Sequence, residues 1–365
     1  MSNLTRVPLL DRSGLKSPLR IVSIGGGTGL STLLSGLKKH ARGVQETPAP
    51  GNPVVEITAV VTVTDDGGSS GRLRRDFDIL PPGDIRNCMT ALSEDEDLLS
   101  QLFQYRFASG RGLKGHSFGN LFLAAMHQIT GDFGHAVKLS SEILAIRGRI
   151  FPATSANVTL EAVLSDGSVV RGESKISKSR RPIDVIGLRP SNCEPLPETL
   201  EAIANADLIT LGPGSLYTSV IPNLLVTGIP DAISHSPALK IYFVNLMWQP
   251  GETINFAASQ HVQAIERHAG RKLIDCVVVN TAPIPVALRR RYARAHVKPV
   301  ENDFEALNEL GVKVVTADLL GDAESVPHRV RHDPSALAQV VIDLASRSRA
   351  HQVRKQAIAA HKRFR

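Results

Sequence analysis

The sequence predicts an α/β fold of the Rossmann-like type, a mostly parallel sheet flanked by helices, with a small β-hairpin insertion. Short runs of Val, Ile and Leu alternate with helix-like segments, which is typical of βαβ units. Several of these runs end in glycine-rich turns, and parallel sheets bind ligands at such strand ends. One stretch alternates apolar and polar residues around Asp166-Gly167, which is a strong hairpin signal.

Five runs have the composition of strands that are buried on both faces. They are RIVSI before Gly25, VEITAVVTV before Thr64, DLITL before Gly212, KIYFVNL around residue 243 and KLIDCVVV before Asn280. A helix is predicted after the first run, because four leucines in LSTLLSGLKKH share one face. The stretch NVTLEAVLSDGSVVRGESKI has period two. It predicts a β insertion at about residues 151–190 that includes the basic loop KSRRP.

Length alone favours one elaborated domain or two modest ones, and the composition is ordinary for a globular protein. The chain has 365 residues, of which 42% are hydrophobic and 21% charged. We expect the domain to span residues 20–344, between a flexible lead-in at 1–19 and a basic tail at 345–365. The sequence has neither a signal-like N-terminus nor a long apolar run, so we expect a cytoplasmic protein without a transmembrane segment. The three cysteines lack the spacing of disulfide frameworks and zinc sites.

The net charge of +7 is concentrated in the tail. Residues 345–365 contain seven of the 42 Lys and Arg residues and none of the 35 Asp and Glu residues, so the rest of the chain is neutral. A neutral body gives little support to a duplex-binding surface, and we expect no nucleic-acid partner. The tail itself is either a solvated helix end or a contact for membrane phosphate, nucleic acid or an acidic partner.

The first strand runs into GGGTGLS, residues 25–31. Gly26, Gly27 and Gly29 let backbone N–H groups approach a ligand, Thr28 adds a hydroxyl, and the following helix N-terminus favours a phosphate. The turn matches neither G-x-G-x-x-G nor the Walker motif, since Leu30 replaces a glycine and no lysine follows. A tight turn without a ligand is the alternative.

A second glycine-rich junction, LITLGPGSLYTSV, follows another predicted strand. It places Gly212, Gly214 and Ser215 at a strand end of the same kind. Two such junctions favour a ligand that reaches across the crevice, such as a dinucleotide or a nucleotide diphosphate sugar. Asn245, at the end of IYFVN, is a further candidate for the crevice.

The stretch TDDGGSSGRLRRDF places Asp65 and Asp66 at a third strand end. Adjacent carboxylates near phosphate either hold a divalent cation such as Mg²⁺, accept hydroxyl hydrogen bonds or act as a base, and these two are the candidate catalytic residues. Capping of the GGSSG turn is the alternative. Arg72 and its neighbours Arg74 and Arg75 either bind phosphate or form a solvated charged face.

Two further helix starts carry polar side chains. PPGDIRN predicts a rigid turn into a helix that Asp84 caps, with Arg86 and Asn87 able to face the crevice. GLKGHSFGNL places His116, Ser117 and Asn120 at another helix start, as caps or as ligand contacts. For His116 a capping or hydrogen-bonding role is favoured over catalysis, because the sequence offers no triad partner.

A series of longer motifs occurs in order from Ile21 into the C-terminal third. They are IGGGTGLS, TDDGGSSGRLR, ILPPGDIRNC, LFQYRF, GHSFGNL, ITGDF, RGRIFPAT, GPGSLYTSVIPNLLV, QPGET and HVQAIERH. With these motifs the chain resembles the gluconeogenesis factor family, the YvcK-type proteins, within the superfamily of 2-phospho-L-lactate transferase (CofD). The stretches GGSSGRLRRDF and PPGDIRN follow the YvcK-type pattern, which leaves transferase activity open.

The resemblance implies a cytoplasmic bacterial protein that binds a UDP-sugar, notably UDP-N-acetylglucosamine, and supports cell shape and growth on gluconeogenic carbon sources. It also implies a regulatory role, for which we expect a protein partner and a homo-oligomer. The alternative is a transferase that moves a phosphate-containing group from a nucleotide diphosphate donor. Carried over by motif, the ligand-facing residues are Gly26, Gly27, Thr28, Gly29, Asp65, Asp66, Gly67, Gly68, Ser69, Gly83, Asp84, Arg86, Asn87, His116, Ser117, Asn120, Gly212, Gly214 and Ser215.

Overall fold

The computed structural model describes residues 17–41, 54–94, 98–179, 181–321 and 329–363. Nearly all of the expected lead-in, residues 1–16, lies outside the described residues, and so do Arg180 of the basic loop and the last two residues of the tail. No helix within the described ranges combines the length and apolar character that a bilayer crossing requires.

Ten strands are formed by the described residues. They are β1 (Leu19–Gly25), β2 (Val55–Val61), β3 (Arg149–Pro152), β4 (Thr159–Leu164), β5 (Val169–Arg171), β6 (Ile183–Arg189), β7 (Leu208–Leu211), β8 (Leu239–Phe243), β9 (Cys276–Asn280) and β10 (Lys313–Ala317). Seven of them form one sheet in the order β10-β9-β8-β7-β1-β2-β3, and all of its pairings are parallel. The predicted α/β fold is confirmed.

The strand order reverses between β1 and β7. From β1 the chain adds β2 and β3 on one side, and it later returns to add β7, β8, β9 and β10 on the other. Adjacent strands at such a switch point leave a crevice beyond their carboxyl ends, where doubly wound proteins bind ligands. In this chain β1 and β7 end at the two glycine-rich turns.

All five strands predicted from apolar runs are present as β1, β2, β7, β8 and β9. Residues Ile21 and Ile24 of β1 and all four residues of β7 are buried. The prediction did not include β3 and β10, which are the two edges of the sheet. Edge strands are short and partly exposed, and β10 shows this in its mixed burial, so their sequences carry a weaker apolar signal.

The predicted hairpin insertion is confirmed as a three-stranded antiparallel sheet in the order β5-β4-β6. Gly167 has a φ of +79° in the turn between β4 and β5, a conformation that glycine adopts at little cost. Every second residue of β4 is buried, as the period-two pattern predicts. The insertion therefore packs one face against the main domain.

Fourteen helices complete the described structure. They are α1 (Gly27–Lys38), α2 (Gly68–Phe77), α3 (Gly83–Leu92), α4 (Leu98–Gln104), α5 (Phe118–Thr130), α6 (Phe133–Ile143), α7 (Glu173–Ile176), α8 (Pro197–Ala204), α9 (Ile221–Leu224), α10 (Ile229–His235), α11 (Ala258–Ala269), α12 (Val286–Arg294), α13 (Phe304–Glu309) and α14 (Pro334–Arg363). A π-helical turn, Leu216–Val220, precedes α9. The four leucines predicted to share a face of α1 are buried.

Helix α14 continues through residue 345, where the basic tail was expected to begin. It packs closely on α1, since a Cβ on Gly36 would collide with the carbonyl of Pro334. Further along α14, Arg349 donates to both carboxylate oxygens of Asp207 and to the carbonyl of Ser17. Asp207 also accepts from the backbone N–H of Arg20. A basic residue of the tail thus ties α14 to the start of β7.

Replacement of this arginine should destabilise the fold. Arg349→Ala leaves the nearly buried carboxylate of Asp207 without its main partner, and we expect a loss of roughly 3 kcal/mol in urea unfolding at neutral pH. The control Arg20→Ala removes a side chain that is 48% exposed and also contacts Asp207, and it should cost below about 1 kcal/mol.

The effect should depend on pH. Burial alone would raise the pKa of Asp207, but the Arg349 hydrogen bond and the Arg20 N–H hold the pKa below the usual 3.8. A lowered folded-state pKa gives stability that is present above the unfolded-state pKa and lost as the pH falls through the folded value. The difference between wild type and Arg349→Ala should shrink in acid, and a constant difference would contradict this assignment.

Candidate functional site

The two glycine-rich turns contact each other backbone to backbone at the switch point. A Cβ on Gly29 would overlap the carbonyl of Pro213 and lie 2.8 Å from Cα of Gly214. A Cβ on Gly214 would in turn lie 3.4 Å from the carbonyl oxygen of Gly26. Gly27 also has a φ of +61°. Glycine is required here because the two turns leave no space for side chains between them.

A cavity of about 470 Å³ opens beside the two turns. Its walls are residues 26–29, 213–215, 245–250 and 330–332, together with Thr32, Ser177, Ser219, Glu252 and Tyr292. The volume lies within the range of ligand-binding clefts. Seven of the residues predicted from the sequence line this cavity: Gly26, Gly27, Thr28, Gly29, Gly214, Ser215 and Asn245. Gly212 does not line it.

The N-terminus of α1 points positive partial charge at this cavity. Gly26 is the N-cap and provides no side-chain cap, and the first turn contains no acidic residue. The side chains of Thr32 and Ser31 instead donate to carbonyls within the helix. Apart from the N–H of Gly27, which Asp84 accepts, the first backbone N–H groups of α1 are therefore suited to an anionic ligand.

Asp84 lies close to the same turn. The expected capping of α3 by Asp84 is wrong, because the N-cap is Pro82 and Asp84 falls within the first helical turn. Its carboxylate accepts instead from the N–H of Gly27. Burial, reinforced by the charge of Asp65, raises the pKa of Asp84 to about 7. Protonation at this position would change the charge next to the glycine turn near neutral pH.

Asp65 and Asp66 have different neighbours. Asp65 accepts from the N–H of Gly67 at 2.9 Å, the turn contact that the capping alternative predicts, while its second oxygen faces Gly83. Asp66 accepts from the N–H of Ser174 at 2.8 Å and faces Gly172. Asp66 therefore attaches the insertion to the carboxyl end of β2, a role that adjacency in the sequence does not indicate.

The remaining predicted residues form a polar cluster at the first turns of α2, α3 and α5, away from the cavity wall. Ser69 hydrogen-bonds the Nδ1 atom of His116 at 3.0 Å, and burial followed by the charge of Arg72 lowers the His116 pKa. Arg86 donates to Ser117 at 2.7 Å, and Ser117 caps α5 by accepting from the N–H of Asn120. Ser117 thus forms the cap that was one of its two predicted alternatives, and His116 forms a hydrogen bond within the fold.

The other members of this polar cluster have equally local partners. Asn87 accepts from Arg86, and Asn120 donates to Ser70. Gly68 has a φ of +47° at the start of α2. The guanidinium of Arg72 lies beside Gly115. The cluster holds three helix starts together on the β2 side of the switch point.

The segment QPGET supplies functional candidates that the sequence analysis did not single out. Gln249 accepts from the N–H of Leu216 and donates to the hydroxyl of Ser215. Glu252 accepts from the N–H of Tyr217 at 2.9 Å and from the hydroxyl of Thr218 at 3.0 Å. These bonds hold the start of the π-helical turn behind the second glycine turn. The motif QPGET was the available signal.

Four more wall residues were also missed: Trp248, Tyr292, Arg331 and His332. They reach the cavity from the loop after β8, from α12 and from the segment before α14. Tyr292 accepts from the N–H of Val330 through its hydroxyl. No local pattern marks these positions, because only the folded chain brings them to the switch point.

Together, the fold and the site define a doubly wound α/β protein with a glycine-framed crevice at its switch point. A family model described as 2-phospho-L-lactate transferase CofD matches residues 21–320, and the chain belongs to this CofD family. Within the described ranges, no group of three or more His, Cys, Asp or Glu side chains is placed to hold a metal ion.

Relatives of known name support the same assignment. The chain is 47% identical to the gluconeogenesis factor of Bacillus subtilis, over 89% of this chain and 98% of the relative. It is 46% identical to the gluconeogenesis factor of Halalkalibacterium halodurans, over 88% and 95%. A crystal structure of a Bacillus halodurans protein, 46% identical, superposes with a TM-score of 0.83 over 89% of this chain and all of that one.

The contact between the glycine turns can be tested by adding a methyl group. Gly29→Ala should force the turns apart, and we expect a loss of roughly 1–3 kcal/mol in urea unfolding. Gly187→Ala is the matched control, because a Cβ on Gly187 meets nothing within 4 Å and its φ is not positive. Equal stability of the two variants would contradict the close packing described here.

The buried carboxyl of Glu252 should make stability depend on pH. Burial raises its pKa from 4.5 to about 7, so the folded state keeps its proton where the unfolded state has lost it. The free energy of unfolding should therefore fall as the pH rises from about 4.5 to 7. In Glu252→Gln this decrease in the free energy of unfolding should disappear, as measured by urea unfolding at several pH values. Parallel profiles would contradict the assignment.

Proposed function

We propose that this protein binds a UDP-sugar, UDP-N-acetylglucosamine in particular, at the switch-point cavity and acts as a regulatory protein. The observation that carries the proposal is the backbone contact between Gly29 and the Pro213-Gly214 turn beside a 470 Å³ cavity. Main-chain amides of the first turn of α1, other than the N–H of Gly27 that Asp84 accepts, suit a diphosphate, and a cavity of this volume leaves room for more than the phosphates.

The cavity wall supports the same ligand class. Among the described residues that line it, Arg331 is the only arginine or lysine. A guanidinium at the wall of this cavity suits a diphosphate, because its planar fork binds phosphate oxygens in pairs. Trp248 also lines the cavity, and its indole N–H is already donated to the carbonyl of Phe256. The ammonium of Lys298 lies over one face of the indole ring, 5.6 Å from the centroid, so a sugar ring would pack on the other face.

A regulatory role is supported by the names of the relatives, which are gluconeogenesis factors. It is also supported by the aspartate pair, since Asp65 and Asp66 each accept a hydrogen bond from the protein's own backbone. In this proposal, ligand occupancy links central carbon metabolism to cell-wall precursor synthesis and cell shape through a protein partner.

A magnesium ion fits this proposal in one arrangement. Mg²⁺ is often held by one or two carboxylates together with substrate phosphates. Asp65 is the better placed of the pair, because its Oδ2 atom faces Gly83 and its charge acts on Asp84, which contacts the first glycine turn. The bound ion would neutralise charge on the diphosphate.

The second candidate is a phospho-group transferase, which the description of the matching family model favours. In that case the glycine turns would stabilise the leaving diphosphate, and an aspartate would act on the acceptor hydroxyl. Binding of a diphosphate in the ground state and in the transition state requires similar residues, so product formation has to discriminate between the two candidates.

The test is calorimetric titration with UDP-N-acetylglucosamine, with and without Mg²⁺, followed by mass analysis of the recovered ligand. We expect saturable binding and unchanged ligand. A transferred or phosphorylated product would favour the transferase, and the absence of binding in both conditions would overturn the proposal.

Arg331→Ala should weaken this binding by roughly tenfold to a hundredfold, since a charge-assisted hydrogen bond contributes about 1.5–3 kcal/mol. The control is Arg329→Ala, because Arg329 is exposed and does not line the cavity. Loss of the same size in both variants would indicate a general charge effect instead of a contact.

A further inference from the structure

A second cavity, of about 210 Å³, lies beyond the carboxyl ends of β8 and β9. It shares Asn245 and Leu246 with the switch-point cavity, so the two are neighbouring compartments of one edge of the sheet. The second cavity is therefore the neighbouring space that a ligand longer than its phosphates would meet on this side of the glycine turns.

Asn245 stands between the compartments with a free acceptor. The N–H of Leu216 can only donate, so the Oε1 atom of Gln249 must face it. The same Oε1 atom lies 2.6 Å from the amide of Asn245, which must therefore present its Nδ2 atom. Within the described chain, Oδ1 of Asn245 is left buried without a hydrogen-bond partner. Such an atom is costly unless a ligand donor satisfies it.

Apart from Asn245, the second cavity is lined by six apolar residues, Val244, Leu246, Ala282, Ile284, Pro299 and Val300, and by the polar residues Asn280, Arg289 and Asn302. Asn280 also lines it, but its amide is used within the fold: it donates to Ala282 and accepts from the N–H groups of Ala282 and Leu319. Asn302 donates to the carbonyl of Asn280. Few polar groups remain for a ligand.

A cavity with apolar walls and few unpaired polar groups favours a nucleobase over a sugar. A sugar carries hydroxyl groups around its ring, and each needs a partner when it is buried. A base has two flat apolar faces and a short polar edge with N–H and C=O groups. The free Oδ1 of Asn245 matches the N–H of such an edge, and the guanidinium of Arg289 at the cavity wall matches a carbonyl.

We infer that the second cavity is the nucleobase subsite of the nucleotide ligand, with Asn245 as the acceptor that reads the base edge. The inference rests on the proposed function, which places the diphosphate at the glycine turns. The sugar would then lie in the remaining part of the first cavity, near Trp248 and Ser177.

The test is a comparison of ligand fragments on two variants. Val300→Phe fills the second cavity, and Asn245→Leu removes the acceptor while nearly keeping the volume. The matched control is Val286→Phe on α12, because Val286 is 61% exposed and does not line the cavity. Calorimetry measures the binding of UDP, UDP-N-acetylglucosamine and N-acetylglucosamine 1-phosphate, with competition titration for the ligand that binds most weakly. Circular dichroism checks that each variant is folded.

Both variants should lose about tenfold or more in affinity for UDP and for UDP-N-acetylglucosamine, which corresponds to about 1.4 kcal/mol. Affinity for N-acetylglucosamine 1-phosphate should stay at the wild-type value. If Val300→Phe is unfolded, Asn245→Leu alone carries the comparison.

A loss confined to N-acetylglucosamine 1-phosphate would overturn the inference and place the sugar in the second cavity. Unchanged affinity for UDP in the folded variants would also overturn it, while binding of UDP-N-acetylglucosamine by the wild type would leave the proposed function standing. Failure of the wild type to bind any uridine nucleotide would overturn the proposed function, and this inference with it.

Discussion

The organisation of this protein depends on the close approach of two backbone turns, one after β1 and one after β7. Parallel pairing of these strands brings their carboxyl ends side by side, and glycine at Gly29 and Gly214 allows the turns to touch without side chains between them. The N-terminus of α1 and the π-helical turn before α9 are positioned by this contact. The cavity at the switch point is lined by residues from both of these helical starts.

Polar networks on either side stabilise this arrangement. On the β7 side, Gln249 and Glu252 bind the hydroxyl of Ser215 and backbone and hydroxyl groups at the start of the π-helical turn. On the β2 side, Arg86 and His116 join the first turns of α3, α5 and α2. Most of these side chains bond the protein itself, so their first effect is to hold the helix starts rigid. Rigid supports of this kind lower the cost of ordering a site when a ligand binds.

The insertion is part of the site's enclosure. Asp66 accepts from Ser174 at the start of α7, and a Cβ on Gly251 would collide with the carbonyl of Ser177 just after α7. The insertion thus contacts both the β2 strand end and the QPGET segment, and Ser177 lines the cavity. This position explains why Asp66 is tied to a part of the chain that is distant in sequence.

The sequence by itself determined the buried strands, the hairpin and the glycine turns, because these depend on local periodicity and on backbone conformations that favour glycine. It also identified the cavity residues that adjoin strand ends, such as Thr28 and Ser215. The tertiary structure alone decided the partners of the charged residues. Asp84 binds the N–H of Gly27 instead of capping α3, and Arg349 of the tail binds Asp207. It also brought Arg331 and His332 to the cavity. Such pairings join residues that are far apart in the sequence. No local sequence pattern predicts them, because the partners meet only when the chain folds.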